Sequence, residues 1–286
     1  MAHLKLHHVD GHDHGSARKA TIERLVSSHA VLSYRWGGDW RYRRARRITG
    51  QPRPDHVGGL IWREDAPAPI GRANAPGFRV LYLADRRDTA LSEIRADDDR
   101  VVVTEFRIRR GRSVQVAPIG EMAQIQRTGR GILAAAAGDA ITEVMNGCDP
   151  HHVRTMLIVD AFLLKCIAET DVDYELSSAV AMAILGKLPA VDAISYPSRR
   201  QHGAVNFAVR GDRLWRDWGI MAVQEAHARH LAMGYYRLTG RRHVTGIMRS
   251  GRLVWSDDPP DDVEAMVALD PPWHPSAVAE PSPDKG

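Results

Sequence analysis

Apolar positions along the chain fall into short runs separated by polar turns, and helix-period patterns are inserted among strand-period ones. Alternating or continuous apolar runs predict strands at Arg41 to Ile48, Val80 to Ala84, Val101 to Ile108, Ser113 to Ala117, Ala193 to Tyr196 and Val205 to Val209. Further alternating segments lie at Tyr235 to Leu238 and Arg252 to Trp255. Helical spacing of Ala20, Ile22, Leu25 and Val26, with Ser16 as cap, predicts a helix from Ser16 to about Ser28. Asp88 is the expected N-cap of a helix whose Ala90, Leu91 and Ile94 face inward, with Glu93 at the edge of that stripe. The Ala-rich GILAAAAGDAITEVM, Thr155 to Glu169, Leu176 to Leu188 and the region around Met221 to Met233 also read as helices, and Gly147 to His152 as a turn. This succession predicts one large α/β domain with insertions, or one domain with appendages, for a chain of 286 residues.

Polar residues interrupt this pattern in two informative places. Between Arg41 and Arg47 five arginines occupy seven positions. On a strand, Tyr42, Arg44, Arg46 and Ile48 share one face and Arg41, Arg43, Ala45 and Arg47 the other. The apolar ends of the first set draw Arg44 or Arg46 inward, where a guanidinium needs an anion or a carboxylate. The competing reading is a solvated basic edge strand. From Gly71 to Glu93, a Gly/Asn/Pro turn, a short strand and a helix start deliver Arg72, Tyr82 and Glu93 from three elements. A cation, an aromatic ring and a carboxylate so arranged suit an anionic, ring-bearing ligand. Any single helical Glu is more often solvent-exposed and loosely paired, here with Arg86 or Arg87.

Composition narrows the classes. A net charge of +4 and pI near 9.2 fit nucleic acid or a phosphate-bearing small molecule equally. No apolar run is long enough to span a membrane, and Cys148 and Cys166 are too few for a disulfide framework, so a cytoplasmic chain is expected. His3, His7, His8, His12 and His14 read as a polar tail, and no metal is expected. Walker A, GxGxxG, HExxH, paired CxxC and GxSxG patterns are missing from the sequence, which removes support for nucleotide-triphosphate, zinc-hydrolase, dithiol and serine-hydrolase chemistry.

Four pieces in order carry a resemblance: YRRAR at Tyr42 to Arg46, GRANAPG at Gly71 to Gly77, VLYLA with TALSEIR up to Arg95, and AISYPSRRQHGAVNF at Ala193 to Phe207. With the eleven-residue step from Tyr82 to Glu93, they resemble the RES-domain family over roughly Tyr42 to Val209. The resemblance implies an α+β fold of mixed sheets flanked by helices, similar to ADP-ribosyltransferases, and an enzyme that acts as the toxin of a toxin–antitoxin pair. It implies NAD as substrate, with Glu93, Arg44 and Tyr82 in catalytic positions and Arg44, Arg72, Tyr82 and Ser198 binding NAD; Arg43 is an alternative register for Arg44. Glu93 would stabilise positive charge on the ribose, Arg44 with Arg72 would hold the diphosphate, Tyr82 would pack on the nicotinamide or its ribose, and Ser198 would meet phosphate or carboxamide. The ADP-ribose acceptor stays open between water, inorganic phosphate and a protein side chain. An Xre-like antitoxin is the implied partner, nucleic acid entering only through it, with a homo-oligomer allowed. Around a catalytic domain at 31–258 the chain is expected to carry an N-terminal extension at 1–30, a helical insertion near 119–154 and a disordered tail at 259–286. A non-enzymatic nucleic-acid binder using the strip Arg41 to Arg47 is the reading from another class.

Overall fold

The computed structural model describes residues 14–62, 66–131, 135–168, 174–258, 260–261 and 265–275. His3, His7, His8 and His12 lie outside the described residues. In chain order the elements are α1 (His14–Ser28), β1 (Tyr34–Gly37), β2 (Arg41–Arg47), β3 (Val80–Ala84), α2 (Arg87–Glu93), β4 (Asp99–Ile108), β5 (Ser113–Pro118), α3 (Glu121–Thr128), α4 (Ala135–Asn146), α5 (Pro150–Ala168), α6 (Glu175–Lys187), β6 (Ala193–Pro197), β7 (Val205–Arg210), α7 (Leu214–Asp217), β8 (Trp218–Ala232), β9 (Tyr235–Ile247) and β10 (Leu253–Trp255). The class is α+β.

The strands form one mixed sheet in the order β1-β5-β6-β7-β3-β2-β4-β8-β9-β10. Among the described strands only β5 and β6 run parallel, and a parallel pair needs a long crossover. Helices α3 to α6 supply it, and the segment expected as a helical insertion near 119–154 is the first part of that crossover. Most neighbours are zipped along their length: β2 pairs with β4 from Arg41↔Arg107 to Arg47↔Val101, and β3 with β7 from Val80↔Arg210 to Ala84↔Asn206. By contrast, β2 and β3 meet at the single pair Arg43↔Ala84. The sheet is therefore two zipped halves that separate beside this joint. Tyr42 ties the halves from one face, its ring edge-on to Phe207 at 4.8 Å and to Trp218 at 5.1 Å.

Helices cover the other face in two groups. α1, α5 and α6 bury Ile22, Val26, Leu163, Ile167, Val180 and Ile184 against β6 and β7. α2 buries Leu91 against Val101 and Val103 of β4 and Ala226 and Ala228 of β8. Asp160 of α5 accepts the backbone N–H groups of Gly120 (2.8 Å) and Ala123 (3.0 Å), so a carboxylate reaching across from a neighbouring helix serves the start of α3. Burial nonetheless holds the Asp160 carboxyl above its ordinary range. The cleft lies between the two helical groups.

Several expectations are corrected. The region around Met221 to Met233 is the long strand β8, not a helix: its residues are good helix formers, but Ala226 and Ala228 are buried while His227 and Arg229 are exposed, a period of two imposed by pairing with β4 and β9. α5 begins at Pro150 rather than Thr155, because Asp149 accepts the N–H of His151 at 2.9 Å and Pro150 takes the first helical position. β2 lies inside the sheet and is not an edge strand. At the start of α2 the N-cap residue is Arg86, with Asp88 inside the first turn. Part of the expected disordered tail packs on the sheet: Leu269 donates to the Met221 carbonyl, Trp273 exchanges backbone bonds with Ile220, and its ring meets Trp215 edge-on at 5.6 Å. No helix among the described residues is long and apolar enough to cross a membrane.

Candidate active site

The GRAN turn is built around one hydroxyl. Tyr82 Oη donates to Asn74 Oδ1 at 2.7 Å and accepts the Ala73 N–H at 2.8 Å, while the Asn74 amide reaches the Pro69 carbonyl at 2.8 Å. A Cβ at position 71 would lie 2.4 Å from Asn74 Oδ1 and 2.7 Å from Tyr82 Oη, so only glycine fits there. Burial pushes the Tyr82 phenol well above its ordinary range, keeping it a neutral hydrogen-bonding group. The turn projects Arg72 toward the end of α5, where its guanidinium donates to the carbonyls of Ile167 and Ala168 and lies 5.6 Å from the Tyr174 ring. A cation at a helix C-terminus is favoured by both bonds and dipole. Arg72 thus fastens a cleft wall.

Glu93 closes α2. A carboxylate at a helix C-terminus opposes the helix dipole, so its stability does not explain its place. The β6–β7 hairpin holds it: Ser198 Oγ donates to Glu93 Oε1 at 2.7 Å and Asn206 Nδ2 donates to the same oxygen at 2.6 Å. Ser198 Oγ accepts in turn from the N–H groups of Arg200 and Gln201, both at 3.2 Å. Among the described residues nothing bonds to Oε2, and no cation pairs with Glu93; Arg86 and Arg87 turn to Asp85 and Asp88 instead. Glu93 is exposed rather than enclosed. Ser198, expected at a phosphate or carboxamide, here orients the carboxylate.

The arginines of β2 divide clearly. Arg43 Nε meets Glu105 Oε1 at 2.9 Å, Arg41 approaches the other oxygen of that carboxylate at 3.4 Å, and Arg47 reaches Asp99 at 3.6 Å. Arg46 donates to the carbonyls of Gly59 and Ile61. Arg44 has one long contact, to the Tyr82 carbonyl at 3.4 Å across the joint, and its Nε is sealed from water without a partner. Burial, aided by Arg46 beside it, pushes the Arg44 guanidinium down to about 10. An inward arginine short of a counter-charge is what an anion site requires, and it distinguishes Arg44 from the alternative Arg43. The strip Arg41, Arg43 and Arg47, which a nucleic-acid binder would use, is already engaged with carboxylates.

Two adjoining cavities meet at Glu93. The smaller, ≈ 410 Å³, is lined by Arg44, Arg72, Tyr82 and Glu93, joined by Tyr196 and Asn206. The larger, ≈ 630 Å³, shares Glu93, Arg72, Tyr196 and Asn206 and extends past them. Both fall in the range of small-ligand sites. All five residues expected at the site thus converge, four on the smaller cavity and Ser198 through Glu93. Sequence reasoning missed Asn206, Tyr196, Arg95 and Arg200. A lone amide within the apolar VNFAV strand was the available signal for Asn206; the others needed the hairpin's geometry. Among the described residues no group of three or more His, Cys, Asp or Glu is gathered as for a metal ion.

No curated protein and no solved structure matches the chain. The family model described as the RES domain matches residues 40–226. That span holds every residue of the smaller cavity and both partners of the Glu93 carboxylate, and it identifies the chain as a member of the RES-domain family.

Proposed function

We propose that the cleft binds NAD and breaks the bond between nicotinamide and ribose. One observation carries this reading: across a single cavity, Glu93 is held by neutral donors with one oxygen free, and Arg44 lacks an anion. NAD supplies both counterparts, a diphosphate for the guanidinium and a cationic nicotinamide riboside for the carboxylate. The rings of Tyr82 and Tyr196 flank the same cavity and suit the planar leaving group.

When the C1′–N bond breaks, its electron pair passes to the pyridinium nitrogen and nicotinamide leaves neutral. No proton needs to be given to it. Positive charge moves onto the ribose, and a carboxylate fixed beside C1′ stabilises that charge. Ser198 and Asn206 hold Oε1, leaving Oε2 for the sugar. The acceptor then bonds C1′: water does so with loss of a proton to solvent, and a phosphate oxygen does so directly. NAD depletion by either route is the first reading. Transfer of ADP-ribose to a protein side chain is the second, favoured by the exposure of Glu93 to the larger cavity, which admits an acceptor bigger than water. An Xre-like antitoxin that covers the cleft is the proposed partner, and expression of the chain without it is expected to arrest growth.

The test is nicotinamide release from NAD by the purified chain, with and without inorganic phosphate, beside Glu93→Gln. Release dependent on Glu93 supports the reading, and stimulation by phosphate identifies phosphorolysis. Label transferred from NAD to protein in a cell extract, without free release, moves the assignment to the transferase. Absence of both outcomes rejects NAD chemistry.

A further inference from the structure

The larger cavity has a wall that the family match does not contain. Its far side is made by His230, Gly234 and Tyr236 at the tip of the β8–β9 hairpin, beyond residue 226. The tip comes close to the catalytic helix: a Cβ on Gly234 would sit 3.4 Å from Ser92 Oγ and 3.8 Å from the Gln201 side chain. The His230 and Tyr236 rings lie 5.2 Å apart and brace the hairpin. This chain therefore turns the open side of Glu93 into a chamber.

Arg95 and Arg200 line that chamber and the smaller cavity alike. Arg95 stands at an unusual place. The Ala96 N–H bonds the Leu91 carbonyl at 3.1 Å and the Arg95 N–H bonds the Ser92 carbonyl at 3.0 Å, a Schellman ending of α2. The residue at the left-handed position of that motif is usually glycine, yet here it is Arg95 with φ 52°. Arg95 and Arg200 are both exposed, and the positive φ of Arg95, which Asp98 and Met233 share, is a backbone cost that a site needing this guanidinium accepts. Arg200 comes from the turn whose N–H groups hold Ser198. Among the described residues neither guanidinium has a hydrogen bond or an ion pair, and Asp97, which also lines the chamber, pairs with neither.

We propose that Arg95 and Arg200 form a phosphate-binding subsite in the larger cavity, closed on its far side by the hairpin tip. Two unneutralised guanidinia beside one opening offer the forked donors that phosphate oxygens accept. The phosphate belongs either to the diphosphate of NAD, in which case the assignment rests on the function proposed above, or to a separate free phosphate.

The experiment is calorimetric titration of the full chain with inorganic phosphate and, separately, with NAD, every NAD titration being run in the Glu93→Gln background so that NAD is bound without being consumed. It compares wild type with Arg95→Gly, Arg200→Gln and the double variant, each checked by thermal melting. The double variant is expected to weaken the occupant by at least about tenfold, while Arg95→Gly melts no lower than wild type because glycine accepts the left-handed conformation. If the diphosphate is the occupant, NAD affinity falls and inorganic phosphate competes with NAD. If a free phosphate is the occupant, its affinity falls even at saturating NAD while NAD affinity holds. Unchanged affinity for both probes in a folded double variant overturns the subsite, as does a wild-type chain that binds neither. Should the double variant not fold, Arg95→Gly carries the test alone, with a loss of about threefold or more. Nicotinamide release is recorded in parallel: a chain that releases none but loses phosphate binding in the variants keeps the subsite and forfeits the NAD reading.

Discussion

Two glutamates near the joint between β2 and β3 are treated in opposite ways. Glu105 on β4 is buried and receives two arginines, Arg43 at 2.9 Å and Arg41 at 3.4 Å. Glu93 on α2 is exposed and receives a serine and an amide, with no arginine paired to it although Arg44, Arg95 and Arg200 line the same cavity. Around Glu105 the fold neutralises its own charges, and the cluster serves the fold. Around Glu93 it keeps cations and carboxylate apart, the arrangement on which the proposed binding of an anionic, cation-bearing ligand rests. Local charge content does not tell the two regions apart; the partners do.

The largest expected effects break the comparison at the carboxylates. Glu93→Gln keeps both neutral donors' geometry but removes the charge, and kcat for nicotinamide release should fall by at least ~100-fold with melting unchanged. Glu105→Gln should do the reverse. Stripping the counter-charge from two arginines is expected to lower stability by about 2 kcal/mol, less than for a fully enclosed pair because both guanidinia retain contact with water. Denaturant titration reads that loss, and turnover per folded molecule should stay at the wild-type level. Near-normal turnover in Glu93→Gln would reject its assigned role.

A smaller effect sharpens the comparison. Removing one of the two donors to Oε1, in Ser198→Ala or Asn206→Ala, should lower kcat by roughly 5- to 10-fold each, since solvent at this exposed carboxylate offsets part of the ~1.5–3 kcal/mol that a hydrogen bond to a charged group contributes. The two effects should be less than additive in the double variant, because both bonds restrain one oxygen. KM should change little. A rise in KM without loss of kcat would return Ser198 to direct contact with the ligand. Smallest is Arg46→Met, which frees the carbonyls of Gly59 and Ile61 and should cost about 1 kcal/mol of stability without altering NAD affinity.

Much of the centre was legible because it depends on short-range pattern. β3 lies at Val80–Ala84 as the apolar run implies, β2 carries its arginines on alternating faces, and Arg44, Tyr82 and Glu93 reach one cavity. The sequence could not reveal which inward arginine would lack a partner: Arg46 found carbonyls from a loop thirteen and fifteen residues away, while Arg44 faces the gap where β3 departs. It was equally silent on Ser198 meeting Glu93, a bond between residues 105 positions apart. The hairpin wall was misread because a run such as MAVQEAHARHLAM carries helix propensity, and only pairing with β4 and β9 makes it strand. Nothing in the sequence set Arg95 apart from its neighbours; its place just past the end of α2 comes from the backbone bonds that close the helix.

The most direct test of this account compares two adjacent arginines, Arg43→Met and Arg44→Met, in NAD affinity and in stability. Arg44 is an inward charge with no internal counter-ion, so its removal is expected to leave the melting temperature unchanged or raised and to weaken NAD binding by at least about tenfold. Arg43 is tied to Glu105, so its removal should lower the melting temperature and leave NAD affinity within about twofold of wild type. Loss of stability in Arg44→Met with NAD affinity intact would contradict the claim that the fold leaves this charge for its ligand.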